Sequence, residues 1–304
     1  MNLFSEIRLF LHYIKIIRIV APQVVLTYTI KPNIYGAIAC KVQNIPCIVN
    51  ITGLGTAIEN RGFLKNISML LYKFGLCTAS CVFFQNDSNY DLFINKKIVR
   101  TKTRLIPGSG VNLSTYTFKE YPSTENGIRF LFIGRIMRDK GIDELLHAIR
   151  IVRKSYPMTS LDIVGFCEED YEAKLKTAQK QGLLRFYGLQ RNVHGFITES
   201  HCTVLPSYHE GTANVLLESA ATGRPIITTR VPGCQETFDE GVTGLGCKVR
   251  DAESLASVMM QFIALPHQAK IQMGLEGRRK MERQYDRCII VKAYVEEITD
   301  ILNP

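Results

Sequence analysis

Short apolar runs recur along this chain, each separated from the next by a helix-like segment. This alternation limits the possible folds more than any other feature. In the first part "QVVLTY", "CIVNIT", "CVFFQN" and "RLIPG" read as strands; in the second "IRFLFIG", "SLDIVG", "LRFYG", "CTVLPS" and "PIITT" read the same way. A strand that is apolar on both sides must be covered on both faces. Such runs closing on Gly, Pro or Ser indicate parallel sheets between layers of helices. The expected fold class is α/β, with two doubly wound domains. The first takes residues 1–120 and the second 121–285. A helix over 286–304 packs back toward the first. The stretch from Gly110 to Asn126, rich in Gly, Ser, Thr and Tyr, joins the two.

The chain has 304 residues, 46% of them apolar, and a mean hydropathy of +0.03, which suits a globular protein with room for two cores. No run of 18 apolar residues exists to cross a bilayer, and no signal-peptide pattern opens the sequence. The nine cysteines are scattered, with no Cys-x-x-Cys pair, which suits reduced thiols better than a disulfide framework or a zinc site. The first domain opens unusually. It begins with a basic amphipathic helix, "EIRLFLHYIKIIRIV", and offers only about four strand candidates, where a doubly wound sheet commonly has about six. The first domain is therefore expected to be incomplete.

Charge is unevenly spread. Residues 1–120 hold 14 Lys and Arg against 5 Asp and Glu, whereas residues 121–304 hold 23 of each. All of the net charge of +9 thus sits in the first part. Such asymmetry suits contact with a polyanion. There is no zinc finger, no aromatic RNA-binding motif and no Trp, so an anionic membrane surface is the expected partner rather than nucleic acid.

In an open α/β sheet, ligands sit beyond the carboxyl ends of the strands. After "FLFIG" comes "GRIMRDKGI", with Arg135 and Lys140; after "VLPS" comes "YHEGTANVLLE", with Glu210 and Glu218. The small-residue turn Gly211, Thr212, Ala213, Asn214 and Val215 opens a helix, and backbone N–H groups at a helix start attract anions. Two cations facing such a start suit a diphosphate. Carboxylates accept hydrogen bonds from vicinal diols, so Glu210 and Glu218 suit two sugars. A nucleotide-sugar carries a ribose, a diphosphate and a second sugar in that order. The alternative for Glu218 is an ordinary carboxylate favoured by the helix dipole, and for Lys140 a plain surface lysine.

With these residues in place, "GRIMRDKG" followed by "PSYHEGTANVLLESAATGRPIITTRVPGCQETFDEGVTG" resembles the donor half of a GT-B glycosyltransferase of the large retaining family 4. The resemblance runs from about Gln23 to the end. It implies two Rossmann-like domains facing a cleft. It also implies that Arg135 and Lys140 hold the donor diphosphate, that Glu210 meets the donor sugar and Glu218 the ribose, and that backbone at Gly211–Val215 faces the phosphates, with Arg191 and Val193 near the base. On this likeness Glu210, Arg135 and Lys140 are the candidate catalytic residues. No metal or other cofactor is expected, and the chain has no Asp-x-Asp pair that could hold one. "VVLTYTIKPNIYGAIA", "NITGLGTAIE" and "VFFQND...RLIPGSGVN" further resemble bacterial enzymes that add an N-acetylhexosamine to an undecaprenyl-diphosphate-linked saccharide. Many members carry a His after the second of these strands, where Thr52 and Gly53 stand here. Lys31, Asn33, Thr52, Gly53 and Gly110 are the candidate acceptor-side residues; for Lys31 and Asn33 the alternative is a helix-start turn set by Pro32.

The resemblance implies retaining transfer from a UDP-sugar to a lipid-linked saccharide at the inner face of a bacterial cytoplasmic membrane. A UDP-sugar 2-epimerase shares the donor fold, and a truncated, impaired transferase is a further alternative. His209 beside Glu210 reads as structural. The segment from Glu6 to Val20 carries Arg8, Lys15 and Arg18, with its apolar side assigned to the core and its basic side to headgroups. Vesicle co-sedimentation should therefore show tighter binding with phosphatidylglycerol than without it, by about 1 kcal/mol for each engaged basic residue, fading with salt. Equal binding to neutral and anionic vesicles would give the charge asymmetry another purpose.

Overall fold

The computed structural model describes residues 3–53 and 63–303. The chain divides into two compact units. Unit 1 comprises Met1–Ser109 with Cys288–Pro304, and unit 2 comprises Gly110–Arg287. The division falls at Ser109/Gly110 rather than at residue 120. The reason lies in pairing: the Val111 N–H donates to the Tyr285 carbonyl at 2.7 Å, and the Arg287 N–H donates back to Val111 at 3.0 Å. Those bonds tie residue 111 into unit 2.

Unit 1 runs α1 (Leu3–Val20), β1 (Val25–Tyr28), a π-turn at Pro32–Gly36, α2 (Ala37–Val42), β2 (Cys47–Ile51), α3 (Phe63–Leu76), β3 (Cys81–Phe84), α4 (Asp87–Asn95) and β4 (Lys102–Leu105). Its strands form a parallel sheet in the order β1-β2-β3-β4. Strands β2 and β3 are buried at every position, as expected of apolar runs covered on both faces. Helix α4 starts where the Asn86 side chain accepts the Asn89 N–H at 2.9 Å, a side-chain N-cap.

Helix α1 corrects one expectation. Ile17 is buried, but Phe4, Ile7, Leu11, Ile16 and Ile19 are exposed beside Arg8, Lys15 and Arg18. The outward face is thus mixed rather than purely basic, because apolar residues surround the helix and one side alone cannot take them all.

Unit 2 runs β5 (Arg129–Ile133), α5 (Ile142–Ser155), β6 (Ser160–Val164), α6 (Glu172–Lys180), β7 (Arg185–Phe186), α7 (His194–Glu199), β8 (Cys202–Leu205), α8 (Asn214–Ala221), β9 (Ile226–Thr229), β10 (Gly244–Cys247), α9 (Ala252–Ala264) and α10 (His267–Lys280). The six strands lie in the order β10-β9-β8-β5-β6-β7, all paired parallel. Helix α5 buries Ile142, Leu145, Leu146, Ile149 and Val152, a helical spacing that lays one apolar stripe on the sheet. The last helix, α11 (Arg287–Leu302), returns to unit 1. There Tyr294 stacks on Phe83 with ring centroids 4.6 Å apart, and the buried Glu297 pairs with Lys102 at 2.8 Å.

One buried cation fastens unit 2. Arg224 is fully buried, and its guanidinium donates to the carbonyls of Lys119 (2.9 Å), Glu120 (2.7 Å) and Thr198 (2.7 Å). Burial lowers its pKa to about 10, which still leaves it charged at neutral pH. Three carbonyls from two separate segments converge on this one group. Arg224→Leu should lower the denaturant-measured stability by about 3 kcal/mol, since each acceptor left unpaired costs about 1–3 kcal/mol. A loss within about 0.5 kcal/mol would show that water replaces the guanidinium.

Candidate functional site

Strands β5 and β8 are sheet neighbours, yet β5 leads to β6 on one side and β8 leads to β9 on the other. Loops that diverge in this way leave a crevice beyond the carboxyl ends of the strands. The loop after β5 carries Arg135 and Lys140, and the loop after β8 carries Glu210.

Glycines let the loop after β8 meet the loop after β5 on one side and the loop after β9 on the other. Gly141 has φ 70°, and a Cβ there would lie 2.2 Å from the Pro206 carbonyl oxygen. Gly233 has φ 82°, and a Cβ there would lie 2.3 Å from the Glu210 carbonyl oxygen. Larger residues would be strained at such φ values and would also collide. Two backbone bonds complete the closure: Tyr208 N–H to the Asp139 carbonyl and Ala213 N–H to the Gly233 carbonyl, both 2.9 Å.

This closure joins Lys140 to Glu210. The Lys140 ammonium pairs with Glu210 Oε1, and the Ser207 hydroxyl donates to the same oxygen at 2.8 Å. The two side chains are only 16% and 14% exposed. Arg135 stands differently. Its guanidinium pairs with Glu168 Oε2 at 2.7 Å and is 52% exposed. An exposed pair contributes about 0–1 kcal/mol, so an arriving anion readily displaces it. His209 Nε2 lies 4.0 Å from Asp139 Oδ2.

Helix α8 begins at Asn214, and Ala213 before it makes no side-chain capping bond. Glu218 sits half-buried on this helix and is hydrogen-bonded to Tyr116. Burial raises its pKa, against the opposing pull of the Tyr116 bond and the Arg287 charge. Tyr116 is pushed up to about 12, by burial first and then by the Glu218 carboxylate. Val193 forms the start of α7 and packs beside Leu131, Val164 and Ile197, while Arg191 is exposed.

Strands β5, β6 and β7 are followed by Gly134, Gly165 and Gly188. The Gly134 N–H donates to the Val164 carbonyl at 3.0 Å, and the Gly165 N–H donates to the Gly188 carbonyl at 2.8 Å. A Cβ at Gly165 would lie 1.8 Å from the Gly134 carbonyl oxygen. The strand ends therefore make a floor of bare backbone.

In unit 1 four of the acceptor-side candidates follow the carboxyl ends of the neighbouring strands β1 and β2. The Lys31 ammonium pairs with Glu6 at 2.9 Å. Asn33 is buried, and its amide donates to the Asn50 carbonyl at 2.7 Å, bracing the turn after β1 against β2. Thr52 and Gly53 follow β2 and are half-buried. Gly110 is buried with φ 66° and belongs to unit 2. The remainder of "NITGLGTAIE" from Leu54 onward lies outside the described residues. Among the described residues no group of three or more His, Cys, Asp or Glu is placed to hold a metal.

Sequence reasoning missed Ser207, Tyr116 and Glu168. A signal existed for Ser207, which lies three residues before Glu210. None existed for Tyr116, which sits in the connecting stretch 102 residues before Glu218; its place beside Glu218 is set only by the fold.

Two family models match the chain: Glycosyl transferases group 1 over residues 115–280, and Glycosyl transferase 4-like over residues 2–86. Among curated relatives, the chain is 24% identical to the N,N'-diacetylbacillosaminyl-diphospho-undecaprenol alpha-1,3-N-acetylgalactosaminyltransferase of Campylobacter jejuni, over 97% of this chain and 82% of that one. It is 23% identical to the capsular polysaccharide biosynthesis glycosyltransferase CapM of Staphylococcus aureus, over 95% and 79%. Among solved structures, Anabaena HepE in complex with UDP and glucose superposes with a TM-score of 0.82 at 18% identity, over 95% of this chain and 81% of that one.

The raised pKa of Glu218 ties function to stability. A carboxyl held above its ordinary value binds its proton more tightly folded than unfolded, so its contribution is favourable at low pH and is lost as pH rises through the folded pKa. Glu218→Gln should therefore raise the melting temperature at pH 7, and the gain should vanish below about pH 4.5. A variant that is no more stable than the parent at pH 7 would mean that the Tyr116 bond and Arg287 fully offset the burial.

Proposed function

The chain is a glycosyltransferase that belongs to the glycosyl transferases group 1 family and has the GT-B fold, and from that premise we propose that unit 2 holds a UDP-sugar at the crevice between β5 and β8. Unit 1 then supplies the acceptor side. The sugar is an N-acetylhexosamine, and the acceptor is a saccharide carried on a lipid diphosphate during assembly of a bacterial surface polysaccharide. The observation that carries this reading is the sheltered Lys140–Glu210 pair at the switch point, with Arg135 on the neighbouring rim.

A donor diphosphate would draw Lys140 and Arg135 to its oxygens, with the start of α8 adding the positive end of its dipole. Glu210, freed from the ammonium, accepts hydroxyls of the donor sugar, and Glu218 accepts those of the ribose. As the bond from the anomeric carbon to the phosphate oxygen breaks, negative charge grows on the departing diphosphate, where these cations are already placed. The acceptor hydroxyl attacks from the same face, its proton passes to a phosphate oxygen of the leaving group, and the configuration at the anomeric carbon is retained. This scheme needs no side-chain nucleophile and no metal.

The relatives' names support the acceptor class, since one acts on a diphospho-undecaprenol substrate. The outer face of α1 supports a membrane-surface location, with exposed Phe4, Ile7 and Leu11 set among Arg8 and Lys15. Among the described residues no helix is long and apolar enough to cross a bilayer.

Calorimetry on the intact chain should detect UDP binding that is unchanged in excess chelator. Lys140→Ala should weaken it at least about tenfold, the scale of a lost hydrogen bond to a charged group. A strict requirement for manganese, or no UDP binding at all, would overturn the scheme.

A further inference from the structure

We propose that Ser207, braced from behind by Thr229, is a positioning residue that fixes the Glu210 carboxylate and selects which of its oxygens meets the donor sugar. The inference rests on the UDP-sugar reading of the crevice and adds to it a residue outside the expected donor set.

Ser207 is fully buried at the exit of β8. Its hydroxyl donates to Glu210 Oε1 at 2.8 Å, the same oxygen that receives Lys140. A carboxylate has about four acceptor positions, two on each oxygen. Both donors fall on Oε1, so Oε2 is left to accept a sugar hydroxyl. Lys140 alone cannot hold this orientation during the reaction, because the diphosphate competes for its ammonium. The Ser207 hydroxyl carries no charge and has no such competitor, so it keeps Glu210 in place after Lys140 turns to the phosphates.

The serine is itself held. The Thr229 hydroxyl on β9 donates to the Ser207 carbonyl, and the Thr228 hydroxyl donates to the Leu205 carbonyl at 2.7 Å. Both threonines are fully buried. The sheet ladder pairs β8 with β9 only as far as Leu205 and Thr228. The Thr228 hydroxyl reinforces the last ladder pair, and the Thr229 hydroxyl extends the connection past it, to the turn where Ser207 sits. Buried hydroxyls of this kind are costly unless partnered, and here each has one carbonyl to serve.

The test compares two ligands that differ only in the sugar. Affinities for UDP and for UDP-N-acetylglucosamine and UDP-N-acetylgalactosamine are measured by calorimetry on the intact chain, using whichever sugar nucleotide the parent protein binds more tightly. Ser207→Ala should bind UDP as the parent does and lose about five- to tenfold for the UDP-sugar. Thr229→Val should shift in the same direction by less, and Thr229→Ser, which keeps the hydroxyl, should restore parental values. Equal losses for UDP and UDP-sugar would make Ser207 a support of the loop as a whole and overturn the proposal. Parental affinity of Ser207→Ala for both ligands would overturn it too, while leaving the donor site standing. Failure of the parent protein to bind UDP would instead remove the reading beneath it and the proposal together. Should Ser207→Ala fail to fold, the Thr229 pair carries the same comparison, and no difference between Val and Ser there would count against the idea.

Discussion

Unit 2 depends on backbone approaching backbone. Where Gly141 meets the Pro206 carbonyl and Gly233 meets that of Glu210, no side chain could intervene without moving a loop. The first contact brings the exits of β5 and β8 within reach of each other, the second seats the β8 exit against that of β9, and Lys140 pairs with Glu210 between them. The chemistry-bearing side chains are common residue types. What makes them a site is that positive-φ glycines allow two loops from distant parts of the sequence to close on one crevice.

Opposite charges meet around that crevice. Lys140 rests on Glu210, Arg135 rests on Glu168, and Glu218 shares a hydrogen bond with Tyr116. For the sheltered Lys140–Glu210 pair, keeping opposite charges together spares each one the penalty of being buried alone. Arg224 follows the opposite logic. It has no carboxylate, only carbonyls, and fixes in place the segment around Lys119 and Glu120 that enters β5.

Much of the fold was legible because burial on both faces writes itself into a parallel strand as an unbroken apolar run. "CIVNIT", "CVFFQN", "FLFIG", "LDIVG" and "VLPS" each coincide with a strand and the start of its exit. Strand β10 was missed because "GLGC" alternates glycine with one Leu and one Cys, too short an apolar run to mark a strand. In "RLIPG" only Arg104 and Leu105 lie in β4, since Pro107 cannot donate to a ladder. Of the candidate site residues, Arg135, Lys140 and Glu210 could be placed beyond strand ends from the sequence alone. Asn33 was less so: its carboxamide turns inward to the Asn50 carbonyl, a choice set by packing that one-dimensional spacing does not encode.

The position of α11 bears on how the protein is made. Unit 1 packs Ile290 into its core and closes Glu297 over Lys102, yet all of unit 2 is synthesised between β4 and that helix. During translation the first sheet must wait for well over a hundred residues before one of its covering layers exists, whereas unit 2 is contiguous and complete as soon as Arg287 emerges. Nascent unit 1 therefore exposes apolar surface for the longer time and is the natural client of chaperones. A deletion or bulky fusion at the carboxyl terminus would accordingly damage the amino-terminal unit, far away in sequence, before it disturbed the unit translated just ahead of it.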